Sequence, residues 1–205
     1  MKAKKYPNGG KVKVRRSSTK PEPQLEPYRI GDDAVLAAAY DALIKEKGGG
    51  RSDWEDAFSA IAFHEAGPAM RPDQRQVGGG PGRGLYQYEM ERNPESGAGG
   101  SGGANTAVRR TSTFLEKIGQ PIPSWLKDLQ KQDADFSKLT KEQQQLLLIG
   151  DHLLGRGDFG QVLQGPEALT DWWTKYHYGG SDRSSIEKMK KDAERYLRVL
   201  NMTPR

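Results

Sequence analysis

The sequence predicts a mainly α-helical domain with one minimal β element, preceded by a disordered basic arm, and three observations carry that prediction. Apolar residues recur at three- and four-residue intervals in successive stretches from residue 32 to residue 200. Residues 84–89 supply a short run with the alternation of a strand. Residues 1–30 mix Lys, Arg, Ser and Gly with Pro21, Pro23 and Pro27, a spacing in which neither helix nor central strand persists. The expected organisation is therefore an arm over residues 1–30 and a single body over residues 31–205.

Composition narrows the function. The net charge of +5 is concentrated in the first twenty residues, which carry eight Lys or Arg and no acid, leaving 24 basic against 27 acidic residues in the rest. The body thus lacks the broad basic face of a dedicated nucleic-acid binder, while the arm can touch phosphate, an acidic protein or an anionic surface. With no cysteine there are neither disulfides nor thiolate metal sites. No run reaches the length of a membrane span, and the basic start leads into Pro-rich polar sequence rather than a signal-peptide core.

The elements follow in order. From Asp32, the residues Val35, Leu36, Ala39, Tyr40 and Leu43 form one helical face, stopped at Gly48. Ser52 with Glu55 three residues on predicts a capping box and a second helix from Asp53, in which Trp54, Phe58, Ile61 and Glu65 share a phase up to Gly67 and Pro68. After a glycine-dense loop ending in residues 78–84 (GGGPGRG), alternation puts Leu85, Gln87 and Glu89 on one side and Tyr86 and Tyr88 on the other. Residues 92–104 hold five glycines and almost nothing to bury, which suits a lid or a plain linker.

A third helix is expected from Asn105 as N-cap to Gly119, with Phe114 one step off phase, then an amphipathic piece around Trp125, Leu126 and Leu129. Thr140 and Gln143 cap a helix whose Leu146, Leu147, Leu148 and Ile149 must be central. Pro166 opens a segment carrying Leu169, Trp172, Trp173 and Tyr176, closed by Gly179, and residues 184–200 form the last helix.

A carboxyl at the end of a buried helix face, followed by a Gly-rich turn and a short polar strand, is the layout of a glycan-cleaving site. Burial disfavours the charged form, so such an acid can keep a proton near neutral pH and donate it to a leaving oxygen. Glu65 is read as that acid. Other readings of the same stretch fail: His64-Glu65 lacks the second His of a zinc-protease motif, because position 68 is Pro68. Three His and no Cys argue against a protein-ligated zinc site, and no Gly-Lys-Ser/Thr follows the glycines near 80. No cofactor or metal is expected. Trp172 and Trp173, at helical spacing, are read as core, whereas Tyr176 and Tyr178 at a helix end can reach a groove.

Taken together, Glu65, then Gly84-Leu85-Tyr86-Gln87, then Asn105, then Tyr176 within Lys175-Tyr176-His177-Tyr178-Gly179 resemble the ordered signature of lysozyme-like lytic transglycosylases, especially those carried in bacteriophage particles. In that family the pieces are a catalytic Glu, a G-L-M-Q-type strand, an Asn on a following helix and an A-Y-N-A-G-type segment. The resemblance spans roughly residues 50–180. This chain departs from the pattern in having Ala66 where a Ser commonly follows the acid, Tyr86 for the Met and His177 for the Asn.

The resemblance implies a lysozyme-like α+β fold and a peptidoglycan lytic transglycosylase with Glu65 as its single catalytic acid. It implies that Gln87 lines the glycan groove and that Tyr176 orients the carboxyl or the substrate, with Tyr86, Glu89, Asn105 and His177 completing the substrate-binding set. The bond cleaved would be that between N-acetylmuramic acid and N-acetylglucosamine, leaving a 1,6-anhydro sugar without water or metal. A hydrolytic lysozyme or endolysin would need a second carboxylate, for which Glu89 and Asp73 are available. A third possibility is a non-enzymatic virion or DNA-associated protein that keeps a lysozyme-like body. The implied partners are glycan strands, with other virion proteins or DNA for the arm. The implied location is the phage particle, or the host cytoplasm before lysis.

Overall fold

The structure, a computed structural model, describes residues 33–155 and 157–202. The arm expected over residues 1–30 lies outside the described residues. The described residues are mainly helical, with seven α-helices and one two-stranded hairpin.

Helix α1 (Ala34–Lys47) begins after Asp33, whose carboxylate accepts from the amides of Val35 at 2.9 Å and Leu36 at 3.1 Å. Helix α2 (Arg51–Ala66) starts two residues before the expected Asp53. Its cap differs accordingly: Gly50 is the N-cap, and the Asp53 carboxylate reaches back to the Gly50 amide at 2.8 Å. Glu55, expected in the box with Ser52, instead pairs with Arg51 at 3.0 Å. An Asp placed three residues after Gly50 satisfies the equivalent N-cap donor two residues earlier.

The phase of α2 is as the sequence indicates, with Trp54, Phe58 and Ile61 fully buried. Trp54 and Phe58 pack on Phe159, at ring separations of 5.2 and 5.7 Å, and Phe159 arrives on a 3₁₀ turn (Phe159–Gln164) that the helical pattern did not announce. The Trp54 indole donates to the carbonyl of Gly48 at 3.0 Å, tying the end of α1 to the start of α2.

The expected strand over residues 84–89 is a hairpin instead. Strands β1 (Gly82–Arg83) and β2 (Tyr88–Glu89) pair antiparallel, with Gly82 opposite Glu89 and Arg83 opposite Tyr88, and the residues between them turn. Gly84 has φ +80° and Gln87 φ +48°, left-handed conformations that no strand contains. Leu85, expected on the side of Gln87 and Glu89, is buried beside Tyr86, so the alternation inferred across the segment does not hold. Gln144, fully buried, fastens this turn: its Oε1 accepts from the Leu85 amide at 2.6 Å, and its Nε2 donates to the carbonyls of Pro72, Phe136 and Leu139 at 2.9 to 3.1 Å.

Residues 92–104 are likewise held rather than strung as a linker. The Asn93 side chain is buried and donates to the carbonyls of Gly79 and Gly80 at 2.7 and 3.0 Å. Arg92 bridges to Gly99, and Asp133 accepts from the amides of Glu91 and Arg92.

Helix α3 (Gly103–Lys117) starts with Gly102 as N-cap, so Asn105 stands inside the first turn and is not the cap. Phe114 is buried with Ala107, Thr111 and Leu115, in phase after all. A short α4 (Ser124–Leu129) carries Leu126 and Leu129 inward. Helix α5 (Lys141–Leu153) has the expected Thr140–Gln143 box, and Leu147, Leu148 and Ile149 are fully buried against α3.

Helix α6 (Pro166–Trp172) opens on its proline and passes directly into a π-helical turn (Trp173–Tyr178), closed by the Gly179 amide on the Thr174 carbonyl at 3.0 Å. Helix α7 (Arg183–Met202) packs on α2 through the buried Met189, Ala193 and Tyr196. None of the described helices is long and apolar enough to cross a membrane.

Candidate active site

Helix α2 ends by delivering Glu65 to one wall of a cleft of about 430 Å³, its side chain 16% exposed. The same cleft is lined by Gln87 and Glu89 of the hairpin, by Tyr176 and His177 of the π turn, and by Arg110 of α3. Five of the seven expected site residues, Glu65, Gln87, Glu89, Tyr176 and His177, are thus brought together.

Four of the five are each fixed by a local contact. Gln87 donates to the Gly84 carbonyl at 2.7 Å while its backbone keeps φ +48°, which turns its side chain out of the hairpin's regular pattern. Glu89 accepts from the Ser101 amide at 2.8 Å. Tyr176 lies across Gly157, where any Cβ would strike its ring. His177 Nε2 lies 2.8 Å from the Tyr86 carbonyl oxygen and 3.8 Å from Glu65 Oε1.

The other two lie elsewhere. Tyr86 contributes that carbonyl, but its side chain is 1% exposed and faces a separate small hollow beside Met70 and Leu85. Asn105 is a bracket between loops: its Nδ2 donates to Glu91 at 3.0 Å and Asp133 at 3.3 Å, and its Oδ1 accepts from the Ala134 amide at 2.9 Å. Asp73, the other carboxylate considered for hydrolysis, does not line the cleft and is bound at the surface by Arg71 at 2.6 Å. The hydrogen bond from Arg71 holds its carboxyl below the usual range.

Two features were not legible as functional. Trp173, read as core, is indeed 1% exposed, yet its indole N–H donates to Glu65 Oε1 at 2.7 Å. Its ring lies parallel to Tyr178, 4.7 Å away, and takes the edge of His64 at 4.8 Å, while His64 Nδ1 lies 2.9 Å from Asp192.

The second feature is a largely buried polar chain in the wall of the cleft. Tyr88 donates to Asp151 Oδ2 at 2.9 Å, and Arg110 donates to Asp151 Oδ1 at 2.7 Å. His152 Nε2 stands 3.2 Å from the Tyr88 hydroxyl and 3.4 Å from His177 Nδ1. Burial pushes the His152 imidazole down to about 3, against the pull of Asp151, so it is neutral at ordinary pH. Burial, reinforced by the charge of Asp151, pushes the Tyr88 phenol well up. The available signal in the sequence was Asp151-His152 interrupting the apolar run of α5, two polar residues where only apolar ones pack freely.

What this arrangement can do chemically is limited and specific. Glu65, gripped at one oxygen, faces a polar cleft that Glu89 and Asp151 also line and that has room for a sugar-sized ligand. Among the described residues no group of three or more His, Cys, Asp or Glu is placed to hold a metal ion. Comparison with family models, with curated proteins and with solved structures finds no match.

Proposed function

We propose that the chain is a lysozyme-like peptidoglycan lytic transglycosylase with Glu65 as its catalytic acid, acting on the bacterial cell wall as a component of a phage particle. One observation carries the reading: Glu65, Gln87 and Tyr176, selected from scattered positions of the sequence, meet on a single cleft. In this reading the basic arm serves other virion proteins or DNA.

The chemistry needs one carboxyl. Protonated Glu65 donates to the oxygen linking N-acetylmuramic acid to N-acetylglucosamine as the bond to C1 breaks, releasing the N-acetylglucosamine end. Glu65, now a carboxylate, takes the proton of the muramoyl C6 hydroxyl as that oxygen closes on C1, which regenerates the acid and leaves a 1,6-anhydro end. Gln87, locked by its own hydrogen bond, and Tyr176, braced on Gly157, form fixed walls for the sugar.

Glu89 favours a second reading, hydrolysis, because it lines the same cleft and could activate water or act as nucleophile. Digesting purified peptidoglycan and weighing the products separates the two. Anhydro-muramoyl ends, lost by about 10²–10⁴-fold in Glu65→Gln and retained in Glu89→Gln, support the transglycosylase. Reducing ends lost in both variants support the hydrolase. A folded wild-type protein that cleaves nothing favours a non-enzymatic virion protein with this body.

A further inference from the structure

The geometry points to Trp173 as the positioning residue of the acid, holding Oε1 of Glu65 so that the transferable proton resides on Oε2. This inference rests on the reading of Glu65 as the acid.

An indole nitrogen can only donate, so at 2.7 Å from Trp173 Nε1 the Glu65 Oε1 can only accept. The ring has no freedom to turn away. Tyr178 covers one face at 4.7 Å, the edge of His64 abuts it at 4.8 Å, and Asp192 anchors His64 at 2.9 Å.

His177, the other nitrogen-bearing side chain near Oε1, is committed elsewhere by the groups around it. Ionised Asp151 only accepts, so the Tyr88 hydroxyl gives it its proton and in turn accepts from His152 Nε2. That same N–H faces His177 Nδ1 at 3.4 Å, which makes Nδ1 an acceptor and leaves the His177 proton on Nε2. Nε2 donates to the Tyr86 carbonyl at 2.8 Å and stands 3.8 Å from Glu65 Oε1. The one N–H of His177 is thus spent on that carbonyl, and the indole of Trp173 is the hydrogen-bond donor to Oε1, where a proton would oppose it. The proton is left to Oε2. Once it has been donated, the indole N–H stabilises the resulting carboxylate, which must persist to act as base.

The test replaces the donor and keeps the shape. In Trp173→Phe, kcat for wall cleavage falls about ten- to a hundredfold, the worth of one hydrogen bond to a charged group, with KM little changed. The alkaline limb of the pH profile moves upward, because the protonated acid has lost a competitor. A readout independent of activity is the indole ¹⁵N–¹H resonance of Trp173, assigned by its disappearance in Trp173→Phe. On acidification it shifts in the wild type, and Glu65→Gln removes that shift. A resonance that stays put, or moves equally in Glu65→Gln, overturns the inference whether or not the protein cleaves wall. Unchanged kcat and pH profile in an active Trp173→Phe overturns it while leaving the proposed function intact. A Glu65-dependent shift in a protein without wall cleavage upholds the grip and removes the proposed reaction.

Discussion

His152 shows how much a single side chain can govern. Its imidazole is held neutral by burial, with a folded value of about 3 against an ordinary 6.5. Between those values the unfolded chain binds the extra proton, so the contribution to stability is complete above about pH 6.5 and declines as pH falls toward 3. Urea unfolding should lose stability on acidification from pH 6.5 to 5 with a slope of at most about 1.4 kcal/mol per pH unit. His152→Gln should flatten that slope, and an unchanged slope would place the effect elsewhere. At this scale Glu65, Gln87 and Tyr176 were legible because helical phase and a short ordered motif mark which positions face a shared space. Trp173 was legible only as core, since its burial follows from periodicity but the direction of its N–H does not. Asn105 was misassigned for a related reason: a polar residue in a first helical turn serves a neighbouring loop as readily as a ligand.

Among the elements, the hairpin of β1 and β2 bears most on the site, and its stability depends on contacts outside itself. Two-residue strands cannot hold alone. Gln144 supplies what is missing, and Gly84 makes room for it, since a Cβ there would collide with the Gln144 amide. Replacing Gln144 by Leu leaves the Leu85 amide and three carbonyls without this partner, and should cost about 2–4 kcal/mol in chemical denaturation. The expected loss of wall cleavage should exceed the loss of fold, because Gln87 and Glu89 shift with the hairpin. The sequence marked this region as glycine-rich turn and polar strand, yet not where one ends and the other begins. A left-handed Gln87 breaks the alternation on which a strand is recognised, and nothing in its neighbours announces it. The π turn was equally silent, because Trp172, Trp173 and Tyr176 fit an ordinary helix on spacing alone.

For the molecule as a whole, the cleft is walled by the end of α2, the hairpin, the first turns of α3, the end of α5 and the π turn, and α5 packs on α3. Helix α5 meets α3 tightly at Gly150, where an added Cβ would overlap Thr111. Gly150→Leu should therefore force the pair apart, lowering thermal stability by about 1–3 kcal/mol and disturbing the Arg110–Asp151 bond of 2.7 Å that spans them. Calorimetry together with cleavage assays at a temperature where the variant is folded would check both effects. Helix number and order were readable from periodicity and caps, whereas this packing was not, since a glycine within a helix pattern does not say which neighbour it admits. One consequence concerns synthesis. Glu65 and the indole that grips it are 108 positions apart, so a chain leaving the ribosome carries its acid long before the grip, the opposite wall residues Tyr176 and His177, and α7 have emerged. If the protein digests cell wall, its partly made copies are harmless to the cell that makes them.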